Sequence, residues 1–213
     1  MIRSLEPELM DSPEIAGPIL EKFHLDLERI HGFLGTFPTI ERFLKNNPRP
    51  IRRVLDIGCG GGALLDYLRR RMNIEVIGID LKPAPTCDIP VIAANAIHDP
   101  LPEADVAVSS LMAHHLSPEE NLALIRNVAR SCPRYLIHDL IRHPMPLVLF
   151  TLFICPLIGK EAAVDGRQSI RRAYTPDEFK KLLEGIEAKV EIDVSPFLSR
   201  QIVDIQFAGH IER

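Results

Sequence analysis

The stretch Val54-Leu55-Asp56-Ile57-Gly58-Cys59-Gly60-Gly61-Gly62 constrains this chain more than any other. It is an apolar strand running into a glycine-rich turn, and the residues after it, Ala63 to Arg71, read as a helix. Without a Cβ, such a turn takes backbone angles closed to other residues and lets a ligand approach the main-chain N–H groups closely. After a break at Met72-Asn73 comes a second apolar strand, Glu75 to Ile79, closed by Asp80. An acid about 20 residues past the glycines is where a doubly wound fold hydrogen-bonds the ribose hydroxyls of an adenosine. The series predicts a nucleotide-cofactor cradle at the first crossover of a parallel α/β sheet.

Gly58-x-Gly60-x-x-Ala63 also satisfies the dinucleotide fingerprint, so the glycines alone leave NAD and FAD open. Asp56 argues the other way. A dinucleotide brings a pyrophosphate to this turn, where an acid would repel it, whereas a sulfonium and an α-ammonium group would be attracted. Asp56-x-Gly58-x-Gly60-x-Gly62 resembles the first motif of the class I S-adenosylmethionine-dependent methyltransferases, and the resemblance extends over roughly residues 50 to 210. It implies an α/β, doubly wound Rossmann-like sheet of seven strands with amino-terminal cap helices, and S-adenosyl-L-methionine as cofactor. It assigns Asp56, Gly58, Cys59, Gly60 and Gly62 to the cradle, Asp80 to the ribose, Leu81 to the adenine face and Ser110 to the cofactor edge. Asn95-Ala96 falls where the family often has an Asp that accepts from the adenine amino group. Asn95 departs from that pattern; its amide oxygen can still accept, and a purely local turn is the alternative.

At 213 residues the chain suits a single structural domain. Its net charge of −4 offers no general field for nucleic acid. Arg69-Arg70-Arg71 reads as a solvated helix end. Cys59, Cys87, Cys132 and Cys155 lie far apart, with neither a disulfide framework nor a zinc spacing. Met1 to Asp11 carries acids and no apolar core, unlike a signal peptide, so a cytoplasmic enzyme is expected.

Residues 1–47 read as a helical cap and 48–213 as the catalytic domain. Ile15, Ile19, Phe23, Leu27, Ile30 and Leu34 recur at helical steps, with Asp11, Pro13 and Glu14 as a helix start. Gly35 and Pro38 then break the pattern before a short helix from Thr39 to Asn46. His24, Glu28 and His31 share a helix face, but a di-metal carboxylate site needs a second Glu-x-x-His, so no metal is expected. From Arg53 the chain alternates, with strands at 53–57, 75–79, 90–94, 105–110 and 134–139. Ser117-Pro118-Glu119-Glu120 and Thr175-Pro176-Asp177-Glu178 are capping boxes that open helices. Lys189 to Val194 and Ile202 to Gly209 read as an antiparallel closing pair.

Chemistry is expected at the carboxyl ends of the strands. His114 and His115, after the fourth strand, are candidate general bases, with His115 favoured and the two rings expected on opposite sides. Asp139, ending the fifth strand, is placed to orient a histidine or the acceptor hydroxyl. Arg142, His143, Phe150 and Tyr174 are candidate acceptor contacts in an insert spanning 142–172. Its apolar run, Pro144 to Gly159, is too short for a membrane span. It reads as a lid and pocket lining, against a plain core helix or a shallow membrane contact. The insert resembles that of small bacterial methyltransferases of polyketide-type secondary metabolism. The expected activity is methyl transfer to a small, largely apolar acceptor, most simply at a phenolic or enolic oxygen, with carbon methylation of a quinol-like ring as the rival. A non-catalytic cofactor- or partner-binding protein and an NAD(P)- or FAD-dependent oxidoreductase are the readings outside the class. Nothing in the sequence fixes an oligomeric state.

Overall fold

The computed structural model describes residues 1–9, 35–47, 49–83 and 88–210. The helical pattern of 11–34, the face of His24, Glu28 and His31, and Cys87 lie outside the described residues. Seven strands form one sheet in the order β3-β2-β1-β4-β5-β7-β6. They are β1 (Arg53–Ile57), β2 (Glu75–Asp80), β3 (Val91–Ala93), β4 (Val106–Ser110), β5 (Arg134–Leu140), β6 (Ala188–Val194) and β7 (Arg200–Phe207). β1 to β5 pair in parallel, while β7 runs antiparallel to β5 and β6. The order in which strands are added reverses between β1 and β4, and the cofactor motif sits at that switch point.

Among the described residues there are six α-helices: α1 (Thr36–Lys45), α2 (Ala63–Arg71), α3 (Pro118–Ser131), α4 (Pro144–Leu149), α5 (Lys160–Arg172) and α6 (Pro176–Leu182). Alternation along each strand divides the core in two. Val54, Val106, Val108, Leu136 and Ile202 pack with α1 and α2 through Ile40, Leu44, Leu64, Leu65 and Leu68. Leu55, Ala107, Tyr135, Ile137, Val203 and Ile205 face Leu124, Ile125, Val128 and Phe179 of α3 and α6. Both capping boxes form, with Ser117 accepting from Glu120 and Thr175 from Glu178. Each such cap stabilises by about 0.5–2 kcal/mol.

Two expectations need correction. Pro38 does not break α1: Gly35 is the N-cap, so Pro38 falls in the first turn, where no intrahelical N–H is needed. Met1 to Glu8 carries no helix and crosses the molecule as a strap. Ser4 N donates to the carbonyl of Arg171 at 3.0 Å, and Gln168 Nε2 to Ser4 Oγ and to the carbonyl of Glu6. The insert departs from the core-helix alternative weighed for it. Its apolar run is not buried core: α4 continues as a π-turn (Phe150–Ile154) and a 3-10 turn (Cys155–Leu157), leaving Val148, Leu152, Phe153 and Leu157 more than half exposed.

Helix α5 follows, and its mid-helix Gly166 is explained by packing. The Phe150 ring lies so close to the Gly166 Cα that an added Cβ would overlap it. Gly→Ala inside a helix ordinarily stabilises by about 1 kcal/mol. Here the sign reverses: Gly166→Ala destabilises by about 1–3 kcal/mol through overpacking, and Phe150→Leu in the same chain relieves the loss. Urea unfolding of the single and double variants checks both signs.

Candidate active site

The glycine turn is fastened from inside. Gly58, Gly60 and Gly62 have φ of 71°, 52° and 81°, angles that only glycine adopts cheaply. Gly58 N and Cys59 N both donate to the carbonyl of Ile79, Gly62 N to that of Cys59, and Gly60 N to Asp80 Oδ2 at 2.8 Å. These four amides are therefore engaged within the protein. The expectation that they approach a ligand is corrected: the cradle offers shape rather than donors. A pyrophosphate would need those donors, which weighs against a dinucleotide.

Asp56 lies at the carboxyl end of β1, 2 % exposed, and its Oδ1 has no hydrogen-bond partner. Burial, with a smaller contribution from Asp80, pushes its carboxyl up to about 8. Such an orphaned buried acid suits a cationic ligand. Asp80 accepts from Gly60 N and Lys82 N, which fixes its carboxylate while each oxygen keeps a lone pair for a hydroxyl. Leu81, 69 % exposed, presents an apolar side chain beside it. Asn95 closes a local turn, its Oδ1 accepting from Ile97 N at 2.9 Å, while Asn127 of α3 holds the carbonyl of Ala96. Ser110 Oγ is buried without a partner at the end of β4.

Beyond β4 the chain makes a left-handed step at Leu111 (φ 55°) and enters a 3-10 turn, Ala113–His115. Met112 meets the cradle directly, since a Cβ on Gly58 would lie 2.8 Å from its Cγ. The two histidine rings do not point apart. Their centroids are 4.3 Å from each other and the planes tilt by 35°, because a tight helical turn lacks the alternation of a strand. His114 is buried: its backbone N donates to Asp139 Oδ2 at 2.8 Å, and its Nδ1 lies 2.7 Å from Asp139 Oδ1. Burial alone would raise the Asp139 carboxyl, but His114 and the N–H of Leu140 together hold it below the ordinary range. His115 is the more open of the pair, with 30 % of its side chain exposed.

Glu8, on the strap, completes the cluster. Its Oε1 lies 3.6 Å from His114 Nε2, its Oε2 lies 4.0 Å from His115 Nε2, and Ser169 Oγ donates to Oε2 at 2.8 Å. Sequence reasoning missed it, since a single acid in a segment without periodicity carries no signal. One atom each from Glu8, His114 and His115 fall within 4.8 Å of one another, a grouping able to hold a metal ion. The Arg172 guanidinium, 3.9 Å from Glu8 Oε1, opposes a cation there. Burial pushes the Glu8 carboxyl up to about 7 against the opposing pull of His115, Ser169 and Arg172.

This has a measurable sign. The folded value lies above the ordinary 4.5, so between about pH 4.5 and pH 7 the native state holds a proton that the unfolded chain has released. Stability falls as pH rises through that window, by up to about 3 kcal/mol, and Glu8→Gln flattens that part of the curve. Denaturant melts of both proteins at pH 5 and pH 8 check it; parallel losses would count against the assignment.

Two expected acceptor contacts are structural instead. Arg142 is buried and donates to the carbonyls of Met1 and Ala173 and to Glu178. Tyr174 is buried, donates to the carbonyl of Leu116, and packs its ring under the Arg3 guanidinium at 4.0 Å. Both tie the strap and α6 to the sheet edge. His143 caps α4, its Nδ1 accepting from Met145 N at 3.1 Å, and Phe150 anchors the insert on α5.

A family model described as a methyltransferase domain matches residues 29–143, more than half of the chain. The chain belongs to this methyltransferase family. The methyltransferase is 32 % identical over 99 residues to an indolepyruvate C-methyltransferase of Streptomyces griseus, a match covering 39 % of this chain and 30 % of that protein. The matched stretch thus spans less than a third of that relative's length. Among solved structures, it resembles the plantazolicin methyltransferase BpumL in complex with a triazolic desmethylPZN analog and SAH, with a TM-score of 0.71 and 16 % identity over 89 % of this chain and 92 % of that one. It also resembles the apo form of the S-adenosylmethionine-dependent methyltransferase SibL, with a TM-score of 0.63 and 17 % identity over 96 % of this chain and 63 % of that one. These likenesses establish the Rossmann-like methyltransferase fold. The family's methyl donor is S-adenosylmethionine, and the chemistry of this edge is compatible with it: an orphaned buried acid at Asp56, a fixed carboxylate at Asp80 and an exposed apolar side chain at Leu81.

Proposed function

We propose that the methyltransferase moves the methyl group of S-adenosylmethionine to a phenolic or enolic oxygen of a small, largely apolar acceptor. The observation that carries this reading is the cluster of Glu8, His114, His115 and Asp139 at the end of β4, one residue from the Met112 contact with the cradle. S-adenosylmethionine supplies an activated methyl carbon on sulfur. His115 takes the acceptor's hydroxyl proton, the freed oxygen forms the bond to that carbon, and the carbon–sulfur bond breaks to leave S-adenosylhomocysteine. Asp139 fixes the tautomer and orientation of His114, and His114 packs His115 in place. Glu8 faces the imidazolium that forms. In-line alignment within an edge shielded from water supplies much of the remaining acceleration.

The insert supports an apolar acceptor. α4 packs against the turn Pro196–Leu198 and α5 against the histidine turn, so the insert stands over the same edge. Its exposed Leu152 and Phe153 suit a lid or a shallow contact with a lipid surface. No helix among the described residues is long and apolar enough to cross a membrane. A second reading, methylation at carbon, is favoured by the likeness to the Streptomyces C-methyltransferase. A phenolate or enolate is nucleophilic at oxygen and at the adjacent carbon, so the same base serves both outcomes.

Incubation with methyl-labelled S-adenosylmethionine and a panel of phenols, quinols and pyrones tests the reading. Mass spectrometry of the products should show label on oxygen. Label on ring carbon selects the second reading, and no transfer with S-adenosylhomocysteine binding intact rejects both.

A further inference from the structure

Arg200 opens β7 with only 6 % of its surface exposed. Its Nη1 has no hydrogen-bond partner, and its guanidinium makes no ion pair among the described residues. The one charge that supports it is Asp139, whose oxygens already hold His114 and Leu140. Burial without a partner is costly for a cation and lowers the Arg200 group to about 10. A buried guanidinium in this state has a donor that no described residue accepts.

What it lines is a cavity of about 490 Å³ between α1 and the β6–β7 turn. Arg42, Phe43, His138, Ser195 and Ser199 share its wall with Arg200. Among the described residues Asp193 is the single acid of the lining and is exposed, so the cations Arg42 and Arg200 outnumber it. The Arg200 backbone is pinned on both sides, its N donating to Ser195 Oγ at 2.8 Å and its carbonyl accepting from Ser195 N at 2.9 Å. Phe43 adds an aromatic wall. The cavity lies beside the strand ends that carry the proposed chemistry: His138, in its wall, pairs in register with Ser110, and Ile141 N donates to the carbonyl of Ser199, also in its wall.

The geometry points to a carboxylate subsite, in which Arg200 receives an acidic group of the acceptor while the aromatic body of that acceptor extends toward the cofactor edge. A planar guanidinium and a carboxylate match in a two-pronged arrangement, and desolvation strengthens each bond. The subsite deepens the acceptor assignment made above and rests on it. It narrows the acceptor from any small apolar phenol to one bearing an acid on a short arm.

Binding rather than turnover tests it. 4-Hydroxybenzoate and its neutral methyl ester are compared on the intact protein in the presence of S-adenosylhomocysteine, by ligand-observed NMR titration. Inorganic phosphate serves as a third probe. The acid should bind at least about tenfold more tightly than the ester, as expected for one charge-assisted contact. Arg200→Met should erase that preference, while Arg42→Met reduces it by less than about threefold. Retained S-adenosylhomocysteine binding by Arg200→Met verifies its fold; should the variant not fold, the acid–ester comparison on the wild type still decides. Equal affinity for acid and ester in the wild type, or a preference that survives in Arg200→Met, overturns the subsite. Phosphate displacing the acid would show a general anion site and overturn the assignment to the acceptor. A failed acid preference with methyl transfer to neutral phenols intact would remove the subsite alone and leave the proposed function standing.

Discussion

His115→Ala lowers the single-turnover rate of methyl transfer about 10²–10⁴-fold, the loss expected for a general base, and leaves S-adenosylhomocysteine affinity within a few fold. The separation follows from position. His115 belongs to the turn after β4, whereas the cradle is closed by hydrogen bonds among Gly58, Cys59, Gly60, Ile79 and Asp80 that do not involve it. Glu8→Gln should produce a different signature. Removing the carboxylate that faces the imidazolium moves the rising limb of the rate–pH profile toward lower pH and reduces the maximal rate. A purely structural role for Glu8 would lower the rate without moving that limb. If His115→Ala and His114→Ala both retain the wild-type rate on a verified acceptor, proton removal by this cluster is excluded and alignment alone accounts for turnover.

Cofactor affinity should itself depend on pH, through Asp56. In the free protein this carboxyl is pushed to about 8, so near neutrality it is largely protonated. An α-ammonium group placed beside it favours the ionised form, so binding near pH 7 releases close to one proton. Affinity for S-adenosylhomocysteine then rises by up to about tenfold per pH unit below pH 8 and levels off above it. Calorimetry in buffers of different ionisation enthalpy measures the released proton directly. Asp56→Asn abolishes both the release and the slope, and at pH 8 binds roughly 10–100-fold more weakly for want of a charge-assisted hydrogen bond. A pH-independent affinity in the wild type would show that the acid does not meet the ammonium group.

The sheet was legible because its signals are local. β1 and α2 begin and end where the apolar run and the glycines place them, and both capping boxes open the helices they announce. The seven strands and the closing antiparallel pair match what the family resemblance implied. Helix α5 was not legible, because Gly166 interrupts the pattern for a reason that lies on another segment, the Phe150 ring. Arg142 and Tyr174 have the chemistry of acceptor contacts, and only the fold shows that Glu178, Met1, Ala173 and Leu116 engage them. Glu8 and Arg200 were missed for the complementary reason. Their significance depends on what surrounds them in space, a carboxylate against two imidazoles and a guanidinium against an empty wall, and neither neighbourhood leaves a trace in the spacing of residues.

The strap gives the histidine cluster a place in time as well as in space. Arg3 donates to carbonyls 169, 111 and 113 positions away, at Arg172, His114 and Leu116, and Ser169 reaches Glu8 across 161 positions. Contacts of such range form late, because a long stretch of chain must first be ordered. During synthesis residues 1–9 are made long before their binding partners on α5. β1 and α2 can associate before Glu8 meets its histidines, so a nascent chain acquires the cofactor cradle ahead of the contact that completes the histidine cluster.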